Sequence, residues 1–348
     1  MTVTLPLERD QSAAQTSIVV DVGGTNTRFA IASTTASGTG ISLEKFVSVA
    51  TGAAERFEHA LETYIEANRA TLSNCTGVGI GVAGPLNWRN LNGQTLATVA
   101  LTNNAWQLDQ LALQQYLHTN VFLCNDLQAQ AFAVPILGED QQQKLYTPSQ
   151  PAWGPLPTSL VLGIGTGCGA ALLLQMPSAQ PTGQKDWHCI ATEAGHANIA
   201  LPANYAELSK ALGAPAKRVS VETVLSGAGL ARIYHWRTQT TLADRDIVEQ
   251  GLADPSSSAA QTITDFFQIL ASSAGDMLLT TGAQQLIITG GLLARLLPNL
   301  EPTDFLRTLQ AKDHFEHWLQ QRAVTFVTDS DAALYGLAFA MNQIGRLP

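Results

Sequence analysis

The chain has 348 residues, 45% hydrophobic and 14% charged, enough apolar content for a sizeable core in one large domain or two medium ones. Its 19 Lys and Arg against 28 Asp and Glu leave a formal charge of −9, and without a basic cluster this argues against nucleic acid or an anionic membrane as partner. The cysteines, Cys75, Cys124, Cys168 and Cys189, show no CxxC spacing, which fits a reducing, cytoplasmic setting better than a disulfide framework.

Residues 1–16 are polar and expected to fray; they lack the basic start and apolar stretch of a signal peptide. No apolar run approaches the eighteen residues of a membrane span. From Ile18, "IVVDVGG" and "TRFAIAS" read as two strands around a tight turn. Ala53, Phe57, Ala60, Leu61 and Ile65 predict a helix within 52–70. "GVGIGVAGPL" (77–86) is a small-residue strand ending in a Gly-Pro turn, "LDQLALQQYL" (108–117) a short helix, and "VFLC" (121–124) a strand. "LQAQAFAVP" behind it is a helix stopped by Pro135. The polar, proline-rich stretch 138–158 reads as a loop near a domain boundary. Then the opening pattern returns: "SLVLGIGTGCGAALLL" (159–174) is again strand, glycine turn, strand. A long core helix follows in "TITDFFQILASSAGDMLLTTG", with Gly282 past its end. "QLIITGG" is a strand running into a glycine pair, and "AVTFVTDSDAALYGLAFAMNQ" a strand and a closing helix.

The glycine turns fit neither of two familiar phosphate cradles. A Walker loop needs Gly-Lys, a dipeptide absent from the chain. "GTGCGA" (165–170) satisfies a dinucleotide fingerprint on paper, but "ALLLQMP" after it is too short and apolar for the required helix. What remains is a hairpin whose turn aims backbone N–H groups at an anion. Gly23 and Gly24 permit close approach, and Thr25 and Asn26 add donors. Asp21 is placed to hold Mg²⁺ through water. One such hairpin alone is more simply a ligand-free turn. An Asp before it, a Thr after it and a second Gly-Thr-Gly turn at Gly165, Thr166 and Gly167 favour the phosphate site.

At these residues the chain resembles a known family. "DVGGTNTR", "GIGTGCG" and "ITGG" look like the two phosphate loops and the adenosine loop of actin-like sugar kinases. "LTNNAW", "CNDLQAQAFAVP", "TEAGH" and "SVETVLSGAGL" resemble the bacterial glucokinases. The motifs run in order from Ile18 to the closing helix. The cysteine-rich zinc motif of the sister family of kinases and repressors is absent.

The resemblance implies an α/β, two-lobed actin-like ATPase (ribonuclease H-like) fold with the active site in the interdomain cleft. A small domain would hold 1–136 and 330–348, and a large domain 137–329. It implies transfer of a phosphoryl group from ATP, with Mg²⁺, to the 6-hydroxyl of glucose, by a homodimer. Asp126 would be the general base; an Asn or Asp before a helix also caps it routinely. Asn103, Asn125, Glu193, His196 and Glu222 would hold the sugar together with Asp126. Standing alone, Asn103 is nearly as good a turn former, "TEAGH" a surface loop, and Glu222 a helix-surface carboxylate. Gly24 and Thr25 would face one set of phosphates, Gly165, Thr166 and Gly167 another, and Gly290 and Gly291 would admit adenosine. Arg28 reads as the partner of a structural carboxylate. Thr192 and Ala194 stand where the family usually has glycine, and Ala228 where it has proline; a methyl at 194 is tolerable unless that residue needs positive φ. His314 and His317 lack further metal ligands in sequence, and Cys168, with no neighbouring base, reads as a packing residue. Another hexose specificity, such as mannose or an N-acetylhexosamine, and a non-catalytic sugar-sensing regulator stay open as alternatives.

Overall fold

The computed structural model describes residues 15–35, 40–91, 93–101, 104–150, 154, 156–177 and 185–344. The chain divides into two compact units, one formed by Met1–Leu137 with Asp331–Pro348 and the other by Gly138–Ser330.

In the first unit, β1 (Gln15–Val22), β2 (Asn26–Thr34), β3 (Ile41–Ala50), β4 (Cys75–Val82) and a strand at Asn120–Asn125 form one sheet. Between the last two come β5 (Asn87–Leu91), β6 (Gln94–Ala100) and β7 (Gln107–Asp109), a separate small antiparallel sheet, so the Asn120–Asn125 strand is β8. The large sheet runs in the order β3-β2-β1-β4-β8, with β1 antiparallel to β2 and parallel to β4. Its two faces differ because side chains alternate along each strand. Ile18, Val20, Val22, Phe29, Ile31, Val78, Ile80 and Val82 fill the core on one face. Val19, Ala30 and Ala32 lie on the other, against Leu334, Leu337 and Ala338 of the closing helix Ala332–Ile344. Gly77, Gly79 and Gly81 let that helix and its neighbour sit close. A Cβ on Gly77 would stand 2.5 Å from the Met341 side chain, and one on Gly81 3.1 Å from the Ala129 Cβ. The glycine-alternating strand read from the sequence is therefore a docking surface for helices.

The second unit repeats the scheme. After β9 (Gln142–Tyr146) come β10 (Thr158–Ile164), β11 (Cys168–Pro177), β12 (Lys185–Thr192), β13 (Gln285–Thr289) and β14 (Ala323–Val327), in the order β12-β11-β10-β13-β14-β9. Again a hairpin, β10–β11, is followed by parallel pairing of its first strand, here with β13. The repeated glycine hairpin of the sequence is thus a repeated sheet topology. The expectation of a loop throughout 138–158 needs one correction: β9 pairs antiparallel with β14. Its Gln-Gln-Lys-Leu-Tyr is polar, as an edge strand can be. The long helix is Ser258–Thr281, ended by Gly282 at φ 67°, and it buries Ile263, Phe266, Phe267, Leu270 and Ala274 in the core.

Candidate active site

In the first unit the candidate residues gather at the carboxyl ends of β1 and β8, the edge where open α/β sheets bind ligands. Asp21 lies opposite Gly81 of β4, and Gly81 lies opposite Cys124 of β8, so Asp21 and Asp126 flank the same strand. Asn125 caps the helix Asp126–Ala133: its Oδ1 accepts from Leu127 N, and Gln128 completes a capping box. Its Nδ2 donates to Gly84 O at 3.2 Å. Asp126 is the first helical residue, with Oδ1 2.8 Å from Leu127 N. The capping and catalytic readings therefore fall on adjacent residues: Asn125 caps, and this leaves Asp126 oriented at the helix start. Burial, and then the charge of Asp21, raise the Asp126 carboxyl to about 6 against the pull of the Leu127 amide.

Arg28 fixes Asp21. Its Nε and a terminal nitrogen donate to Asp21 Oδ2 at 3.1 and 2.7 Å, while the other terminal nitrogen donates to Asp331 Oδ1 at 2.9 Å. One guanidinium thus ties β1, β2 and the approach to the closing helix, consistent with the structural pairing expected for it. The first glycine turn is pinned from β3's end by Thr51. Thr51 Oγ1 donates to Gly23 O at 2.8 Å, and Thr51 N donates to Thr25 O at 2.8 Å. In a trans peptide C=O and N–H point oppositely, so the N–H groups of Gly24 and Asn26 face away from Thr51. No motif includes Thr51, because its partners lie more than twenty residues away in the chain.

In the second unit the candidates converge on the turn between β10 and β11. Gly165 N donates to Gly167 O at 2.9 Å, and Gly165 O accepts from Gly227 N at 3.0 Å. Glu222, in the short helix Val221–Val224, accepts from Cys168 N through Oε2 at 3.0 Å. Gly195 of "TEAGH" packs on the same turn, since a Cβ there would stand 1.7 Å from Cys168 O. This puts Glu193 and His196 beside it, with Oε2 and Nε2 3.9 Å apart and both side chains exposed. Ala194 begins a 3₁₀ turn and is not among the residues at positive φ. Thr192 donates its hydroxyl to Ala170 O at 2.8 Å. Gly290, at φ 114°, packs against Ile164 O. Cys168 is buried, its thiol pushed up to about 12 by burial and then by the Glu222 charge, which suits packing rather than nucleophilic attack. Asn103 lies outside the described residues.

The glycines sort by what replaces a side chain. Gly167, Gly195 and Gly290 are crowded by the protein's own atoms. Gly24, Gly165 and Gly291 have nothing within 4 Å of a Cβ, and none has positive φ. Neither packing nor backbone conformation explains these three, one at each loop expected to meet the nucleotide; open cradles of this kind suit a ligand. Among the described residues no group of three or more His, Cys, Asp and Glu could hold a metal alone. Mg²⁺ accompanying phosphates needs only one or two carboxylates besides water. Asp21, a carboxylate held in place by Arg28 through Oδ2, fits that demand.

The paired hairpin sheets and the site residues define a sugar kinase of the actin-like ATPase fold. A crystal structure of a glucokinase from an Antarctic psychrotroph superposes with a TM-score of 0.77 at 26% identity, covering 94% of this chain and 99% of that one. Among curated proteins, the glucokinase of Colwellia psychrerythraea is 27% identical, covering 97% of this chain and 99% of its own length. That of Saccharophagus degradans is 28% identical, covering 94% and 98%. The family model described as Glucokinase matches residues 18–344, and the chain belongs to the glucokinase family. The resemblance read from the motifs is borne out.

Proposed function

We propose that this enzyme transfers the γ-phosphoryl group of ATP to the 6-hydroxyl of glucose, with Asp126 as general base. The observation that carries the reading is the Asp126 carboxyl, raised to about 6 at the end of β8 beside Asp21. A base of that pKa is ionised at neutral pH yet basic enough to take a hydroxyl proton as the new O–P bond forms. Transition states of this kind are loose, so the protein's work is positioning and charge neutralisation. Gly23 N and Gly165 N close the turns on Asn26 O and Gly167 O; the remaining N–H groups of the Gly23–Asn26 and Gly165–Gly167 turns would hold phosphate oxygens, and Gly291 would leave room for the adenosine. Mg²⁺, bound with the nucleotide and reached by Asp21 through water, would supply positive charge to the phosphates. Asn103, Asn125, Glu193, His196 and Glu222 would orient the sugar through its hydroxyls. The working form we propose is a cytoplasmic homodimer. Light scattering at twice the chain mass supports the dimer, and a chain-mass value rejects it.

The test couples ADP release to a panel of hexoses. Turnover is expected with glucose and to fall with mannose and N-acetylglucosamine. A better rate with either of those reassigns the substrate, and no turnover with any hexose rejects the kinase reading. Asp126→Ala is expected to lower kcat by about 10²–10⁴ while glucose still raises its melting temperature. Near-normal turnover in that variant removes Asp126 as the base.

A further inference from the structure

The sugar role proposed for Glu222 leaves one contact unexplained: its carboxylate lies on the turn between β10 and β11. Oε2 accepts from Cys168 N at 3.0 Å, and Gly167 lacks the Cβ that would stand 2.5 Å from that oxygen. The same segment grips the turn at its other side, where Gly227 N donates to Gly165 O at 3.0 Å. It is itself fixed. Ser220 caps the helix that carries Glu222, and Ser226 Oγ donates to Glu222 O at 2.8 Å and accepts from Gly229 N at 3.1 Å. With Gly165 O held by Gly227, peptide planarity turns the Thr166 N–H away from that corner. With Cys168 N held by Glu222, the far side of the turn is set as well.

We propose that Glu222 is the positioning residue of the second phosphate turn, shaping it for the nucleotide through Oε2 and leaving Oε1 for a sugar hydroxyl. The inference rests on the sugar-kinase reading and adds to it: one carboxylate serves both substrates. A buried amide bonded to a charged oxygen is a stronger tie than one bonded to water, so losing it frees the turn to sample shapes that do not fit phosphate.

The test is calorimetric binding of a non-hydrolysable ATP analogue with Mg²⁺, in the absence of sugar. There, a residue acting only on sugar has no effect. Glu222→Ala is expected to raise the analogue's Kd about fivefold to tenfold. Glu222→Gln, whose amide oxygen can still accept from Cys168 N, is expected to stay within about twofold of wild type. Gly167→Ala, whose new methyl pushes the carboxylate aside, is expected to weaken the analogue like Glu222→Ala. Glucose titrations on the same variants separate the two roles. Loss of glucose binding in Glu222→Ala with the analogue unchanged overturns the positioning role and leaves the sugar contact standing. Weakened analogue with glucose unchanged supports the positioning role and takes Glu222 off the sugar. Wild-type analogue affinity in all three variants overturns the proposal.

Discussion

Asp126 is costly to keep ionised, and that cost is what would suit it to the role of base proposed for it. The carboxyl is raised from its ordinary range to about 6, first by burial and then by Asp21. Activity should therefore fall as pH drops through about 6, because the protonated acid cannot accept the sugar proton; the pH dependence of kcat/KM measures this. The same shift has a stability side. A folded pKa above the unfolded one contributes stability below the unfolded value, near pH 4, and that contribution is lost as pH rises through about 6. Asp126→Asn should thus melt a few degrees higher than wild type at pH 7–8, with the gap closing toward pH 4, while turnover is lost. Thr51→Val keeps the shape and the backbone bond to Thr25 O but loses the hydroxyl bond to Gly23 O. The KM for ATP should rise by about threefold to tenfold, with the KM for glucose nearly unchanged. Equal changes in both would place Thr51 outside the phosphate turn's support.

Among the elements, backbone contacts set the local geometry of the candidate residues within each unit. Gly336 of the closing helix would put a Cβ 1.8 Å from Ala129 O, so this helix and the one that begins at Asp126 touch backbone to backbone. Gly336→Val should lower stability by about 1–3 kcal/mol and reduce kcat, by pushing aside the helix that presents the proposed base. In the second unit, Gly195→Ala should raise the KM for glucose, because its methyl would meet Cys168 O. Ala194→Gly, restoring the family's usual residue, should leave that KM within about twofold, since Ala194 needs no positive φ. The same contacts explain what could be read from the sequence. Glycine hairpins announced themselves because β-branched and apolar runs bracket them. Edge strands did not: β3 exposes most of its residues and β9 is polar, so neither shows the alternation that marks a half-buried strand. The ties that finish the site join residues far apart in sequence, such as Arg28 to Asp331 and Cys168 to Glu222. Residue type suggested that Arg28 would meet a carboxylate, but only the sheet pairing reveals which one.

The molecule carries separate hydrophobic cores in its two units, and the chain visits the first unit twice. Leu337, fully buried against β1 and β4's small-residue face, belongs to the second visit. Leu337→Ala should cost about 2–5 kcal/mol, and hydrogen exchange should speed up in β1, β2 and β4 more than in β10 and β13. An equal rise in both units would show that the damage is not confined to the core it touches. Topology of this kind has an effect on synthesis. Asp126 leaves the ribosome early, but Gly336 and Leu337, against which its helix and sheet are seated, are translated some two hundred residues later. A nascent chain stalled inside Gly138–Ser330 already contains the proposed base and the first glycine turn, yet lacks the helix packed against them. Termination before Ala332 would then release an inert product, and competence for phosphoryl transfer would arrive only once the Ala332–Ile344 helix has been made.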